Sequence, residues 1–171
     1  MKILIVGEYV SNGNMILGYY QRALESLGHE VEFFPLSTDG SDNKAKKESK
    51  DSYYYHISQR IFRRLHSISA PLRTKDLIRN TTALIDDFKP DVALTSQGAQ
   101  SMPLPIELLD LFRKKGVPIF NYFTDPLPEN NKNFIKTIDY YSGIFTYNRH
   151  YLPTWYWYGA SRVDYVPFAS D

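Results

Sequence analysis

The chain has 171 residues, 43% of them hydrophobic and 15% aromatic, enough to bury one substantial core and close to the usual size of a single domain. It contains no cysteine, which excludes disulfides and thiolate metal ligands and makes a reducing, cytoplasmic setting the default expectation. A net charge of +1 removes any global reason to expect nucleic acid as a partner.

The opening Met1-Lys2-Ile3-Leu4-Ile5-Val6-Gly7 carries one charged side chain and an apolar run too short for a signal peptide or a membrane span. It predicts a buried strand over Lys2–Val6. Leu17, Tyr20, Leu24 and Leu27 then recur at helical spacing, and Gly28 supplies the residue that ends such a helix in a left-handed turn. A second strand is expected over Glu30–Phe34. Residues 37–52 are polar and lysine-rich, the composition of a mobile loop. From Lys44 to Arg79, ten Lys or Arg stand against three acids, so the positive charge of the chain is concentrated there. Within that stretch Tyr54, Ile57, Ile61, Leu65 and Ile68 form an apolar stripe. The segment 53–73 suits either a solvated helix face or weak peripheral contact with an anionic membrane surface.

Leu77, Leu84, Ile85 and Phe88 mark the next helix, and Lys89-Pro90-Asp91 stops it because proline disfavours helix in the residue before it. Strands follow over Asp91–Thr95, Pro118–Tyr122, Gly143–Tyr147 and Val163–Val166. The helices between them carry Ile106, Leu109 and Phe112, closed by Gly116; then run from about Asn131 to Tyr140, and from about Arg149 to Tyr158, closed by Gly159. Such alternation specifies an α/β fold. We expect a Rossmann-like open parallel sheet of about six strands with helices on both faces, in one domain over 1–171.

Ligands of an open parallel sheet bind outside the carboxyl ends of the strands, so the residues after each strand are the candidates. After the first come Gly7, Glu8, Asn12, Gly13 and Asn14, small and polar residues opening a helix. Asn12 and Gly13 read equally as a turn with a helix cap or as ligand contacts. After the third strand, Ser96 and Gln97 begin a hydrogen-bonding loop that suits sugar recognition or an ordinary turn. After the fourth, Thr124-Asp125-Pro126 is the sharpest local signal. The proline favours an extended Asp125 whose carboxylate could act as general base on a hydroxyl or orient it; the alternative is an Asp-Pro turn. After the fifth come Asn148, Arg149 and His150. His29, His56, His66 and His150 are scattered without metal-ligand spacing, so no metal site is expected. Neither Gly-x-Gly-x-x-Gly nor Gly-x-x-x-x-Gly-Lys-Ser/Thr is present, which disfavours a dinucleotide site or a P-loop. Tyr151, Trp155, Tyr156, Trp157 and Tyr158 are too many aromatics for one helix to bury on a single face.

Met1 to Gly7, Leu24-Glu25-Ser26-Leu27-Gly28-His29-Glu30-Val31, Phe88-Lys89-Pro90-Asp91-Val92 and the closing Val163 to Asp171 occur in an order that resembles the N-terminal lobe of GT-B glycosyltransferases. Asn121-Tyr122-Phe123-Thr124-Asp125-Pro126 and Phe145-Thr146-Tyr147-Asn148, followed by the aromatic helix and Gly159-Ala160, resemble more narrowly the spore-maturation CgeB-like family. The resemblance implies an acceptor-side lobe for a sugar, protein or lipid-linked acceptor. In that architecture a second, C-terminal lobe holds the nucleotide-sugar donor, so this domain binds no cofactor and does not turn over alone. The chain looks truncated before that lobe. The competing class is a stand-alone flavodoxin-like binding or regulatory domain. A phosphoacceptor version of it would want an acid pair after the first strand and a lysine after the fifth, where this sequence has Glu8 alone and Asn148.

Overall fold

The computed structural model describes residues 1–7, 16–36, 74–97, 103–129 and 131–167. The 37–52 loop, the 53–73 stripe and the candidates Glu8, Asn12, Gly13 and Asn14 lie outside the described residues. Six strands, β1 (Lys2–Gly7), β2 (Glu30–Pro35), β3 (Val92–Thr95), β4 (Ile119–Phe123), β5 (Gly143–Thr146) and β6 (Val163–Tyr165), pair in parallel in the order β2-β1-β3-β4-β5-β6. Helices α1 (Ile16–Ser26), α2 (74–88), α3 (Ile106–Lys114), α4 (Lys132–Ile135) and α5 (Leu152–Trp157) connect them. The molecule is therefore a Rossmann-like open α/β sheet.

Strand order explains which face each helix takes. The crossover from β1 to β2 moves one way along the sheet and all later crossovers move the other way, so right-handed connections put α1 on one face and α2 to α5 on the opposite one. Side-chain alternation agrees with this. Leu4, Val6, Ala93, Ile119, Phe123, Ile144 and Val163 occupy matching register positions and join Ile85, Leu108, Leu109, Phe112, Phe134 and Trp155 in the main core. Gly7 lies on the other face, where Leu17 of α1 occupies the space a Cβ would need. Tyr20 of α1 meets Tyr122 there, ring centroids 5.6 Å apart.

Trp155 is the largest fully buried side chain. Its ring stands edge-on to Phe123 at 4.6 Å, and Phe123 in turn meets Phe134 at 5.2 Å. The aromatic excess around it is divided by depth: Trp155 fills the core while Trp157 remains 82% exposed.

Local chemistry sets the element ends. Gly28 and Gly159 take the left-handed conformation expected of them, φ 82° and 100°, and the next residue's N–H reaches back into the helix, His29 to Leu24 O and Ala160 to Trp155 O. Two expected helices are shorter than the periodicity suggests. The one over 131–140 is α4 followed by a 3₁₀ turn (Ile138–Tyr140). Between the two, the Thr137 hydroxyl donates to Phe134 O at 2.7 Å, and its own N–H bonds the same carbonyl three residues back. The one over 149–158 opens as a 3₁₀ turn (Arg149–Tyr151), and α5 begins only where Pro153 suits a first turn that needs no N–H.

Candidate functional site

Because every strand is parallel, the ends that follow Gly7, Thr95, Phe123, Thr146 and Tyr165 all lie on one edge of the sheet. β1 sits between β2 and β3, and chain direction across the sheet reverses there, so the crevice of an open sheet falls outside the carboxyl ends of β1 and β3. Gly7 and the Ser96–Gln97 segment border that point, and Asp125 and Asn148 continue along the same edge. Packing against Leu17 by itself requires glycine at position 7, whose carbonyl accepts the Leu36 N–H at 2.9 Å.

The β3 end is splinted to β4. Asn121, fully buried, accepts the Gln97 N–H on Oδ1 at 2.8 Å and donates from Nδ2 to Gln97 O at 3.3 Å. The Ser96 hydroxyl donates to Tyr122 O at 3.1 Å. These bonds continue the pairing of the two strands past the end of β3 as far as Gln97. Next to the splint, Thr95 Oγ1 and Gln97 Oε1 are buried without a hydrogen-bond partner, as are Trp155 Nε1 under β4 and, away from this edge, Tyr141 Oη.

Further along, Thr124 and Asp125 are half-buried immediately after β4. Asp125 lies within electrostatic reach of Tyr147, the residue after β5: burial, the neighbouring Tyr151 hydroxyl and the Asp125 charge together raise the Tyr147 phenol above its ordinary range. The rings of Tyr147 and Tyr151 stand perpendicular with centroids 6.1 Å apart. Asn148 caps the next turn, its Oδ1 accepting the His150 N–H at 3.0 Å. The Arg149 guanidinium stacks over the Tyr165 ring at 4.4 Å, joining the ends of β5 and β6. Tyr122 donates its hydroxyl to Val166 O at 3.1 Å, and burial raises the phenols of both Tyr122 and its neighbour Tyr20.

The structure therefore brings Asp125 within electrostatic reach of Tyr147, sets Tyr147 against Tyr151, places Arg149 on Tyr165, and gives Ser96, Gln97 and Asn148 internal hydrogen bonds. Sequence reasoning passed over Thr95, Asn121 and the tyrosines. Asn121 carried a signal, because a polar residue in the middle of the otherwise apolar Ile119-Phe120-Asn121-Tyr122-Phe123 needs a specific partner. Tyr147 and Tyr165 carried none, since each reads locally as a strand residue, and Tyr151 stood out only as part of the aromatic excess of the last helix.

Among the described residues no group of three His, Cys, Asp or Glu could hold a metal ion, and no helix is long and apolar enough to cross a membrane. The fold and this edge define an open parallel α/β domain whose polar and aromatic side chains gather where such sheets take their ligands. No protein-family model matches the chain, and no curated protein matches it in sequence. The functional assignment consequently rests on the residues of this edge.

Proposed function

We propose that the chain is the acceptor-binding half of a GT-B glycosyltransferase of the spore-maturation CgeB-like kind. It works with a donor-binding lobe that holds a nucleotide sugar. Asp125 activates or anchors the acceptor hydroxyl, Thr124 flanks it, and the β3 end with Ser96 and Gln97 forms the adjoining wall. The observation that carries this reading is the place of Asp125: a half-buried carboxylate at the carboxyl end of a central strand, within electrostatic reach of the Tyr147 phenol. Neither a resident metal nor a cofactor of this domain enters the scheme. The acceptor, on sugar, protein or lipid, presents a free hydroxyl to Asp125.

The test is transfer by the full-length protein across a panel of nucleotide sugars, with Asp125→Asn as control. General acid–base assistance is worth about 10²–10⁴-fold, so the variant should lose at least about a hundredfold in rate while its thermal midpoint stays put. Transfer at wild-type rate by the Asp125→Asn enzyme removes Asp125 from the mechanism. No transfer from any donor removes the assignment.

One observation favours a second reading. The order β2-β1-β3-β4-β5 is that of flavodoxin-like domains, whose ligand sits at the β1/β3 switch point. A stand-alone binding module would hold a small ligand there without a second lobe. Titration of the 171-residue chain with flavin mononucleotide and NAD discriminates, because the acceptor lobe should bind neither.

A further inference from the structure

The carboxyl ends of β5 and β6 carry three tyrosines, Tyr147, Tyr151 and Tyr165, of which Tyr151 packs in part against the main core. Tyr147, Tyr151 and Tyr165 are half-buried, so each leaves part of its ring to solvent. They are held by one another and by Arg149 and do not sit in the closed interior: Tyr147 and Tyr151 meet at right angles at 6.1 Å, and Arg149 lies 4.4 Å over Tyr165. Rings fixed in this way lose little freedom when something stacks on them. Asp125, whose charge is felt at Tyr147, adds a carboxylate acceptor, and Arg149 adds donors.

Flat aromatic surface beside a carboxylate and a guanidinium matches the chemistry of a pyranose. One side of the sugar is a patch of C–H groups that stacks on a ring, and its rim is a set of hydroxyls that both donate and accept. We propose that the ends of β4 to β6 form a saccharide subsite in which Tyr147, Tyr151 and Tyr165 stack on the sugar and Asp125 and Arg149 hold its hydroxyls, so that the acceptor is itself a carbohydrate chain. This inference rests on the acceptor-side reading and adds the substrate class to it.

The experiment is a set of ¹H–¹⁵N spectra of the 171-residue chain titrated into the millimolar range with chitotetraose, with maltotetraose and, as a nucleobase probe, with AMP. At least one oligosaccharide should shift amides around Asp125, 147–151 and Tyr165. Tyr165→Ala and Tyr147→Ala should each weaken that binding roughly five- to tenfold, the value of one aromatic contact. Tyr147→Phe, which keeps the ring, should weaken it less, and Trp157→Ala, at an exposed ring on another part of the surface, should leave it unchanged. The dispersion of each variant's spectrum reports whether it folds, and Tyr147→Phe keeps the comparison usable if the alanine variant does not. Response to AMP alone, to none of the three probes, or saccharide shifts centred on Trp157 would overturn the subsite. If the full-length enzyme transfers sugar to protein or lipid while these titrations fail, only the carbohydrate acceptor is lost. Saccharide binding here with no transfer from any donor leaves the subsite and discards the glycosyltransferase.

Discussion

The amino edge of the sheet is tied by hydrogen bonds and ion pairs between elements, whereas the carboxyl edge carries the Asn121–Gln97 splint and half-buried tyrosines; a buried polar atom without a partner occurs on each side, Tyr141 Oη on the first and Thr95 Oγ1 and Gln97 Oε1 on the second. On the amino side the Lys2 N–H donates to Asp91 Oδ2 at 2.7 Å, and the Asp91 N–H returns a bond to Lys2 O at 2.8 Å. The Lys2 ammonium lies over the Phe88 ring at 5.2 Å and 3.6 Å from Glu30. Lys115 reaches Asp86 at 2.6 Å, Arg113 donates to Asp139 O at 2.9 Å, and Ser142 accepts the Ile119 N–H at 3.1 Å. On the carboxyl side, Thr95 Oγ1 and Gln97 Oε1 are buried without partners, and tyrosine rings are left half-open. The difference teaches that ties between elements concentrate at one end of the strands, and on the function proposed above the opposite end is the one that would take a ligand. It also gives Phe88-Lys89-Pro90-Asp91 a structural explanation: it ends a helix and ties β3 to β1 far from the candidate site.

Four measurements break or sharpen this contrast, from the largest effect to the smallest. Asn121→Ala removes both bonds that hold Gln97 and leaves its N–H and C=O buried and unpaired, so the urea midpoint should fall by the equivalent of about 2–3 kcal/mol with unchanged m. A loss below that of an ordinary surface substitution would mean that the splint is not structural.

Alkaline pH should act next, through phenols of the carboxyl half and core. Burial raises Tyr141, and burial with its phenolic neighbour raises Tyr20, above the value near 10 of an unfolded tyrosine. A raised folded-state pKa means that the native chain keeps protons the unfolded chain releases. The contribution is fully present below about pH 10 and is lost as pH rises through the higher folded values. For Tyr141, almost wholly buried, the expected slope is about 1.4 kcal/mol per pH unit above pH 10, and Tyr141→Phe should flatten that part of a stability–pH profile. A wild-type profile that is level between pH 9 and about pH 11 would contradict it.

Asp91→Ala opens the amino edge. The bond it removes is exposed, so the loss should be only about 1 kcal/mol, read from the same denaturation curves, and saccharide binding should not change. The smallest effect is a gain. Lys89 sits at φ 52°, a left-handed conformation that costs a non-glycine residue about 1–2 kcal/mol. Lys89→Gly relieves that strain and adds freedom to the unfolded chain, for a net stabilisation of about 0.5 kcal/mol and a small rise in Tm.

Much of the architecture was legible because its signals are local. The six strands fall within a residue or two of their apolar runs, and Gly28 and Gly159 end helices in the conformation their type favours. The lengths of the helices around Thr137 and Pro153 were less legible, since side-chain competition for a backbone carbonyl and a missing N–H shorten a helix without disturbing its apolar spacing. At the candidate site, Asp125 was legible from its Pro126 neighbour. Its company was not: Tyr147 is 22 positions away, and only the pairing of Phe123 with Thr146 brings the two strand ends side by side.

By itself, then, the amino-acid order determined the alternation of strands and helices, their stops, and the residues that follow each strand, because turn geometry and hydrophobic period act within a few residues. Tertiary structure alone decided that β1 lies between β2 and β3, that Asn121 closes on Gln97, and that the Tyr147 phenol comes within electrostatic reach of Asp125. Those outcomes depend on which strands become neighbours, and neighbours in a parallel sheet are chosen by crossover handedness and by packing across the whole core.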